Sequence, residues 1–234
     1  MQQKTSLPIF ITGVGKRLGL GLAQHFLANG IPVIGTYRTE YPVLKTLEEQ
    51  GAELYQCDFY NQLSVDSLIE LVARKYPKLR AIIHNASDWI PEKSALVPSE
   101  IMSKMMQVHV SVPYQINLAL SHLLVCEDQA SADIIHLTDY VSDKGSKKHI
   151  AYAASKAALS NMTLSFAASF APGIKVNAIA PALVMFNAAD DEAYKHKAVK
   201  KALIEKEGGL QEVISAVDYL LLSRYVTGRT MHLD

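Results

Sequence analysis

The chain has 234 residues, 49% of them hydrophobic, which is enough to bury a large core in a single α/β domain. Basic and acidic side chains number 23 each, so net charge gives no reason to expect nucleic acid or an anionic membrane surface as a partner. No apolar stretch approaches the roughly 18 residues of a membrane-spanning helix, and the first residues do not resemble a signal peptide. Cys57 and Cys126 have no metal-like spacing, so we expect reduced thiols, no metal site and a cytoplasmic location.

Short apolar runs alternate with helical patterns along the chain. The predicted strands are Leu7–Thr12, Pro32–Tyr37, Ala52–Gln56, Ala81–His84, Asp133–Thr138, Lys175–Ile179 and Thr230–Leu233. The predicted helices are Leu18–Ala28, Val43–Gln50, Val65–Lys75, most of Ser99–Leu124 with a break or kink at Pro113, Tyr152–Phe170 and Ile214–Leu222. This alternation predicts an α/β fold: a single doubly wound, Rossmann-type domain over residues 1–234, with a mostly seven-stranded parallel sheet and helices on both faces.

Residues 186–209 interrupt this alternation, because they are charged and have no strand pattern. We expect a helical excursion or a lid that closes over the substrate, with Phe186 and Met185 as apolar contacts. A peripheral helix is the alternative.

A glycine-rich run lies between the first predicted strand and the first predicted helix. Glycines in such a turn let the backbone approach a pyrophosphate, which then lies at the helix N-terminus. The alternative is a tight turn whose glycines only help the helix to pack. Because the run follows the first strand, where a dinucleotide-binding fold needs it, we predict a cofactor site formed by Gly13, Gly15, Lys16, Arg17, Leu18 and Gly19.

The end of the second predicted strand indicates which dinucleotide binds. An acidic residue there favours a ribose with free hydroxyls, whereas an arginine favours a 2′-phosphate. Arg38 therefore favours NADPH, and Lys16 and Arg17 add positive charge nearby. Glu40, two residues further on, is interpreted as solvated. Asp58 follows the third strand and is predicted to bind the adenine edge, with an ordinary acidic loop residue as the alternative.

Tyr152 and Lys156 lie four residues apart on a predicted helix, so the phenol and the ammonium can reach one site together. A free phenol has a pKa of about 10 and is a poor acid at neutral pH. A positive charge ~4 Å away, at an effective dielectric of ~20, favours the phenolate by roughly 4 kcal/mol. Lys156 is thus predicted to bring Tyr152 towards proton transfer near neutral pH. Alone, such a pair is more often a solvated helix face.

Four motifs now stand in one order along the chain. They are the glycine turn, the run Asn85-Ala86-Ser87 after the fourth strand, the Tyr152–Lys156 pair, and Asn177–Pro181. Over essentially the whole chain this order resembles the short-chain dehydrogenase/reductase family. The resemblance implies that the tyrosine is the general acid, that the lysine lowers its pKa and holds the nicotinamide ribose, and that the Asn-Ala motif and Pro181 contribute to the cofactor pocket.

The chain departs from the family pattern at three informative positions. Arg17 replaces a glycine before Leu18, Asp139 replaces a serine thirteen residues before the tyrosine, and His109 stands where an asparagine is expected. Arg17 and Asp139 together are similar to the pteridine reductase branch of the family. The role of His109 is left open.

Asp139 also has a chemical interpretation. An ionised carboxylate would repel the alkoxide that forms when a ketone is reduced, whereas a serine hydroxyl could donate to it. Reduction of a ring C=N bond instead requires protonation of nitrogen, and a carboxyl with a pKa raised by burial could relay that proton. We therefore predict Tyr152, Lys156 and Asp139 as the catalytic residues. A capping or turn role for Asp139 is the alternative.

The run that ends in Trp89 completes the resemblance to this branch. There the aromatic residue sandwiches a flat pterin against the nicotinamide, while the serine and the arginine bond polar groups of the ligands. The alternative for Trp89 is a side chain that merely fills a loop. The resemblance implies a substrate site formed by Arg17, Ser87, Trp89, Asp139, Tyr152 and Phe186.

Four further segments resemble members of the branch that act on 7,8-dihydromonapterin: Arg38–Pro42, His84–Ser87, Thr138–Val141 and His149–Tyr152. The implied reaction is NADPH-dependent reduction of this dihydropterin to its tetrahydro form, with weak action on dihydrofolate. Hydride goes to C6 of the C6=N5 bond, and N5 receives a proton through Tyr152 and Asp139. A homotetramer is expected by analogy. Two competing readings are a general carbonyl or 3-oxoacyl reductase, against which Asp139 argues, and a non-catalytic NADP-binding regulator, for which the tyrosine and lysine would be unnecessary.

Overall fold

The computed structural model describes residues 6–125, 131–187 and 190–234 of the chain. Its strands are β1 (Ile9–Ile11), β2 (Val33–Tyr37), β3 (Glu53–Gln56), β4 (Ala81–His84), β5 (Ala132–Leu137), β6 (Ile174–Pro181) and β7 (Thr230–Leu233). They form one seven-stranded sheet in the order β3-β2-β1-β4-β5-β6-β7, and every neighbouring pair is parallel. The predicted α/β fold with a doubly wound parallel sheet is confirmed.

Helices cover both faces of this sheet. They are α1 (Arg17–Ala28), α2 (Val43–Glu49), α3 (Gln62–Lys75), α4 (Pro98–Met106), α5 (Val112–Leu120), α6 (Val141–Lys144), α7 (Ile150–Phe170), α8 (Glu192–Val199) and α9 (Leu210–Leu222). Within the described residues, none of them is both long and apolar enough to cross a bilayer.

The sheet separates two apolar cores because successive strand residues point to opposite faces. Phe10 packs in the core beneath α3, α5 and α7, whereas Ile9 and Ile11 on either side of it pack in the core beneath α1, α2 and α9. All three side chains are almost fully buried. A strand buried on both faces therefore reads as a continuous apolar run in the sequence.

The long helical segment after β4 contains a π-helical turn at Gln107–Ser111 that joins α4 to α5. Val112 N–H donates to the carbonyl of Gln107, five residues back. The turn lies directly before Pro113, which has no N–H to donate and whose ring would crowd the carbonyl of His109 in a regular α-helix. The irregularity predicted around Pro113 is thus a widened turn, and it carries His109 in a buried position.

Several helix boundaries differ from the sequence pattern. Helix α3 begins three residues early because the Asn61 side chain accepts hydrogen bonds from Leu63 N–H and Ser64 N–H, at 3.0 and 3.4 Å. Helix α9 begins at Leu210 instead of Ile214, and the short helix α6 was not predicted. Cys126 lies outside the described residues, whereas Cys57 is a buried free cysteine.

The segment predicted as a helical excursion leaves the sheet after β6 and contains α8. Asp191 begins that helix, since its carboxylate accepts a hydrogen bond from Tyr194 N–H at 2.7 Å. The segment returns where Gly208 N–H and Gly209 N–H donate to the carbonyls of Leu183 and Val184, each at 2.9 Å. These two hydrogen bonds bring the end of the segment back to its start, next to the carboxyl end of β6.

Candidate active site

A cleft of about 1390 Å³ lies at the carboxyl ends of the strands. It includes the point where the strand order reverses, between β1 and β4, which is where doubly wound folds bind ligands. Most of the predicted site residues line this cleft: Gly13, Gly15, Lys16, Arg17, Leu18, Arg38, Asn85, Ala86, Ser87, Trp89, Asp139, Tyr152, Lys156 and Pro181. Three predicted residues, Gly19, Asp58 and Phe186, are not part of the lining.

The glycine turn packs tightly on the loop that follows β4. Gly13 has a φ of +76°, and a Cβ on it would lie 2.8 Å from Ala86 Cα. A Cβ on Gly19 would lie 2.2 Å from the carbonyl oxygen of Gly13, so this glycine serves helix packing and not the cleft. The Asn85 side chain donates to the carbonyls of Thr12 and Gly13, at 3.0 and 2.9 Å. These contacts hold the turn and the Asn-Ala motif together.

The N-terminus of α1 opens towards this cleft. Helix α1 begins at Arg17, and no side chain caps its first turn in the part of the chain that the structure describes. Uncapped backbone N–H groups at a helix N-terminus form a site for an anion such as a pyrophosphate. The geometry therefore fits the phosphate group of a dinucleotide, with Lys16 and Leu18 beside it.

Arg17 adopts a left-handed backbone conformation, with a φ of +53°. This conformation favours glycine and costs roughly 1–2 kcal/mol for another residue. The guanidinium donates to the carbonyls of Met185 and Phe186, at 2.8 and 3.4 Å, and to the side chain of Asn187. Arg17 thus lines the cleft as predicted, and it also connects the glycine turn to the segment after β6.

Asp58 itself is not part of the cleft lining, although Cys57 and Phe59 on either side of it are. Its carboxylate accepts a hydrogen bond from Tyr60 N–H at 3.1 Å, and its own N–H lies 3.3 Å from the hydroxyl oxygen of Ser64, to which it donates. These are contacts of a local turn, which is the alternative that the sequence left open. Arg38 does line the cleft, and its guanidinium forms an ion pair with Asp88 at 3.0 Å.

Tyr152 and Asp139 meet at the centre of the cleft. The Tyr152 hydroxyl donates to Asp139 Oδ2 at 2.8 Å, while Asp139 Oδ1 accepts a hydrogen bond from Val141 N–H at 2.9 Å. Burial raises the pKa of Tyr152 above its ordinary value, and the charge and hydrogen bond of Asp139 raise it further. The phenol therefore keeps its proton at neutral pH.

Lys156 lies beside Tyr152 and is bonded to the end of β5. Its ammonium donates to the carbonyl of Leu137 at 2.7 Å and lies 5.7 Å from the centroid of the Tyr152 ring. Burial and Asp139 are the largest influences on the pKa of Tyr152 in this structure and raise it, so a lowering of that pKa by Lys156 stays a prediction. Burial also lowers the pKa of Lys156 to about 8, so the ammonium still predominates at neutral pH.

His109 connects Ser87 to α7. Its Nε2 lies 2.8 Å from Ser87 Oγ, and its Nδ1 lies 2.8 Å from Ser155 Oγ. The Ser155 hydroxyl itself donates to the carbonyl of Tyr152 at 2.7 Å, so it accepts from His109 Nδ1–H. Burial, together with the charge of Lys156, lowers the pKa of His109 well below its ordinary value. Because the neutral ring carries its proton on Nδ1, Nε2 accepts a hydrogen bond from the Ser87 hydroxyl.

Trp89 lies in the cleft with one face covered. Its ring stacks on His149, with centroids 3.8 Å apart and an interplanar angle of 16°. Trp89 is 56% exposed, so the indole does not merely fill the loop, and its second face is available to a flat ligand. His149, at the start of α7, is buried and supports the indole from behind.

Phe186 lies against the excursion and not in the main cleft. Its ring packs edge-on against Tyr194 of α8, with centroids 6.4 Å apart. It borders a second, smaller depression of about 850 Å³ on the outside of this segment. Its neighbours Met185 and Asn187 do line the main cleft. Of the two predicted apolar contacts, Met185 therefore lies in the cleft lining and Phe186 does not.

Comparison with known proteins agrees with this geometry. A short-chain dehydrogenase family model described as Enoyl-(Acyl carrier protein) reductase matches residues 13–234. The dihydromonapterin reductase of Klebsiella pneumoniae subsp. pneumoniae is 52% identical over 234 residues, which are 100% of this chain and 98% of the relative. The chain belongs to the short-chain dehydrogenase/reductase family. A second relative, the dihydromonapterin reductase of Escherichia coli O6:H1, is 50% identical with the same coverage.

Solved structures of this reductase family share the fold. The crystal structure of FolM Alternative dihydrofolate reductase 1 from Brucella canis, complexed with NADP, superposes with a TM-score of 0.86. The two proteins are 23% identical, and the match covers 98% of this chain and 93% of the other. The resemblance inferred from the four ordered motifs is confirmed at the level of the family.

Sequence reasoning missed four residues of this reductase site: Asp88, His149, Ser155 and Tyr60. Ser155 directly precedes Lys156, and Asp88 lies between Ser87 and Trp89, so both had a signal in their position within the motifs. His149 directly precedes the helix that carries Tyr152, so it too had a signal in its position. Tyr60 had none, because its contacts come from packing between separate elements.

Proposed function

We propose that this reductase reduces 7,8-dihydromonapterin to its tetrahydro form with NADPH, and acts weakly on dihydrofolate. The hydrogen bond between the Tyr152 hydroxyl and the Asp139 carboxylate is the observation that carries the proposal. Two relatives that are 52% and 50% identical over the full length of the chain are dihydromonapterin reductases, which supports the choice of substrate.

The residues of the cleft fit NADPH. The open N-terminus of α1, with Lys16, would hold the pyrophosphate, and Arg38 would receive the 2′-phosphate. Lys156 would hold the nicotinamide ribose, beside Pro181. When bound, NADPH supplies the hydride for the C6=N5 bond.

The protein's own residues handle the proton and the ring. Tyr152 keeps its proton because its pKa is raised, and Asp139 holds the phenol in place. Tyr152 would donate its proton to N5, and Asp139, which is only partly buried, would return a proton from solvent to the phenolate that this leaves. A carboxylate beside the phenol disfavours a ketone, because the developing alkoxide would be repelled. The free face of Trp89 provides a surface on which the flat pterin can stack.

The test of the reaction compares substrates on the purified protein. NADPH consumption is measured with 7,8-dihydromonapterin, dihydrofolate, simple ketones and 3-oxoacyl thioesters. We expect the dihydropterin to be the best substrate and dihydrofolate to be slow. A preference for ketones would instead favour a carbonyl reductase, and tight NADPH binding without turnover of any substrate would favour a regulator.

The test of the site replaces Asp139 with serine. Asp139→Ser should lower pterin turnover by roughly 100-fold or more while NADPH binding is retained, because the proton relay is lost and the coenzyme site is not. Asp143→Ser is the matched control, since Asp143 lies four residues further on, outside the cleft lining, and should leave turnover within about twofold. Turnover at the wild-type rate in Asp139→Ser would remove Asp139 from the mechanism.

We also infer a cytoplasmic homotetramer. Tyr114 and Leu118 of α5 and Leu164 of α7 are about half exposed, at 50%, 49% and 53%, which supports helix packing between subunits. Light scattering on the purified protein should give four times the mass of the chain. Leu164→Asp should reduce that mass, because a charge would be buried in the contact.

A further inference from the structure

The Asp88 carboxylate is held by three partners at one end of the cleft. Its Oδ2 lies 3.0 Å from Arg38 Nη1 and accepts a hydrogen bond from the Tyr60 hydroxyl at 2.9 Å. Its Oδ1 accepts a hydrogen bond from Trp89 N–H at 2.9 Å. Asp88 therefore joins the loop after β4 to the loops after β2 and β3.

The charges of this cluster are strongly coupled. Burial alone would raise the pKa of Asp88, but the hydrogen bonds from Arg38, Trp89 and Tyr60 lower it below its ordinary value. Burial alone would also lower the pKa of Arg38, but the bond and charge of Asp88 raise it. The guanidinium side chain is half exposed and the carboxylate is 30% exposed, so both can be reached from the cleft.

NADPH and NADH differ at the adenosine ribose, which carries a phosphate in one and a hydroxyl in the other. A guanidinium favours the phosphate, whereas a carboxylate accepts a hydrogen bond from the hydroxyl. Here the two side chains stand together, so Arg38 meets the phosphate with its charge already balanced by Asp88. The remaining N–H groups of Arg38 can still bind the phosphate, but its guanidinium then pairs with two anions.

We propose that Asp88 is a specificity-determining residue that weakens binding of the 2′-phosphate to Arg38. The preference for NADPH is then smaller than Arg38 alone would give. This inference rests on the proposed function, and specifically on Arg38 as the partner of the 2′-phosphate.

The test measures equilibrium affinity for each coenzyme by titration calorimetry at physiological ionic strength. Asp88→Asn removes the charge and keeps the size and hydrogen-bonding capacity of the side chain. We expect the ratio of the NADH Kd to the NADPH Kd to rise at least fivefold, mainly through tighter NADPH binding. An unchanged or smaller ratio overturns the proposal. Asp88→Ser should change the ratio in the same direction. Agreement between the two variants excludes a folding defect that is specific to the asparagine variant.

Glu40→Gln is the matched control. It makes the same change of charge two residues beyond Arg38, at an exposed position after β2. The ratio should stay within twofold of wild type, because exposed charges are screened by salt. A rise equal to that of Asp88→Asn would assign the effect to overall surface charge and would overturn the proposal.

Arg38→Ala separates the inference from the function on which it rests. It should raise the NADPH Kd at least tenfold and change the NADH Kd by less than twofold. If it does so while Asp88→Asn leaves the ratio unchanged, the inference about Asp88 is wrong and the coenzyme site stands. If Arg38→Ala leaves NADPH binding unchanged, the phosphate is held elsewhere, and both the assignment of Arg38 and the inference fail.

Discussion

At the scale of single residues, the chemistry of the site depends on which atoms hold protons. The raised pKa of Tyr152 keeps the phenol protonated. Neutral His109 accepts a hydrogen bond from the Ser87 hydroxyl. Ser87 lies in the loop that also carries Trp89, and both line the cleft, so the orientation of its hydroxyl bears on the proposed substrate site. His109 is therefore a positioning residue that acts through Ser87 and Ser155.

Replacement of His109 with alanine tests this role. His109→Ala should lower kcat roughly 10- to 100-fold, because the Ser87 hydroxyl is no longer oriented, while the NADPH Kd stays within about twofold. It should also lower the free energy of unfolding by about 1–3 kcal/mol, because the buried Ser155 loses a partner. Steady-state kinetics, coenzyme titration and urea denaturation measure the three quantities.

Two comparisons complete the His109 experiment. His109→Gln places an amide at this position, which can also donate and accept hydrogen bonds, and it should recover part of the lost kcat. His122→Ala, at an exposed position after α5, should leave kcat and stability near wild type. If His109→Ala changes stability but not kcat, the residue has a structural role only.

At the scale of elements, a buried ion cluster fastens α9 to the sheet. Asp133 on β5 is fully buried and bonds both Lys175 and Arg80, each at 2.6 Å. The same two cations donate to the carbonyls of Leu220 and Leu221, each at 2.7 Å. The positive charges thus lie at the C-terminus of α9, where unpaired carbonyls favour them.

Loss of the Asp133 carboxylate should therefore be strongly destabilising. Asp133→Ala leaves two cations without their anion and should lower the free energy of unfolding by about 3–5 kcal/mol. Glu192→Ala removes an exposed pair with Lys195 and should change it by less than about 1 kcal/mol. Urea denaturation measures the free energy of unfolding of both variants. Equal losses would show that the buried cluster contributes no more to stability than the exposed ion pair.

Arg17 couples two other elements, the glycine turn and the segment that contains α8. Arg17→Ala loses the bonds to residues 185–187 and keeps the left-handed backbone strain, whereas Arg17→Gly loses the same bonds and relieves the strain. We expect the glycine variant to be more stable than the alanine variant by about 1 kcal/mol. Both should expose residues 186–209 to trypsin at least about threefold faster than wild type. Wild-type cleavage rates in both would mean that Arg17 does not hold this segment.

At the scale of the whole molecule, buried neutral histidines make stability depend on pH. Burial lowers the pKa of His84 to about 4, and it lowers the pKa values of His109 and His136 well below 6.5. In the unfolded chain a histidine has a pKa of about 6.5. Between pH 6.5 and about 4 the unfolded chain therefore binds protons that the folded protein does not, so stability falls as the pH falls.

Thermal or urea denaturation across this range tests the expectation. The free energy of unfolding should be fully maintained above about pH 6.5 and should fall by about 1.4 kcal/mol per pH unit for each such histidine below it. His84→Gln should reduce that slope by the contribution of one histidine, about 1.4 kcal/mol per pH unit. His122→Gln, at an exposed position, should leave the slope unchanged. A slope that is unchanged in His84→Gln would mean that His84 is not a buried neutral group.

The sequence by itself predicted the strands, their parallel arrangement and most of the cleft. Apolar runs such as Ile9–Ile11 reveal buried strands because burial on both faces leaves no polar alternation. The glycine turn, Asn85 and Tyr152 all follow strands or begin helices, and parallel strands bring their carboxyl ends to one edge of the sheet. These inferences need only local patterns and the general geometry of the fold.

The contacts between separate elements were decided only by the tertiary structure. Lys156 donates to the carbonyl of Leu137, and Arg38 pairs with Asp88, fifty residues away in sequence. Asp58 and Phe186 contact partners nearby in the sequence, Tyr60 and Tyr194. A sequence pattern reports how deeply a side chain is buried and what local conformation it prefers. The direction of a charged side chain depends on the partners that packing brings within 3 Å or so, and those partners come from distant parts of the chain.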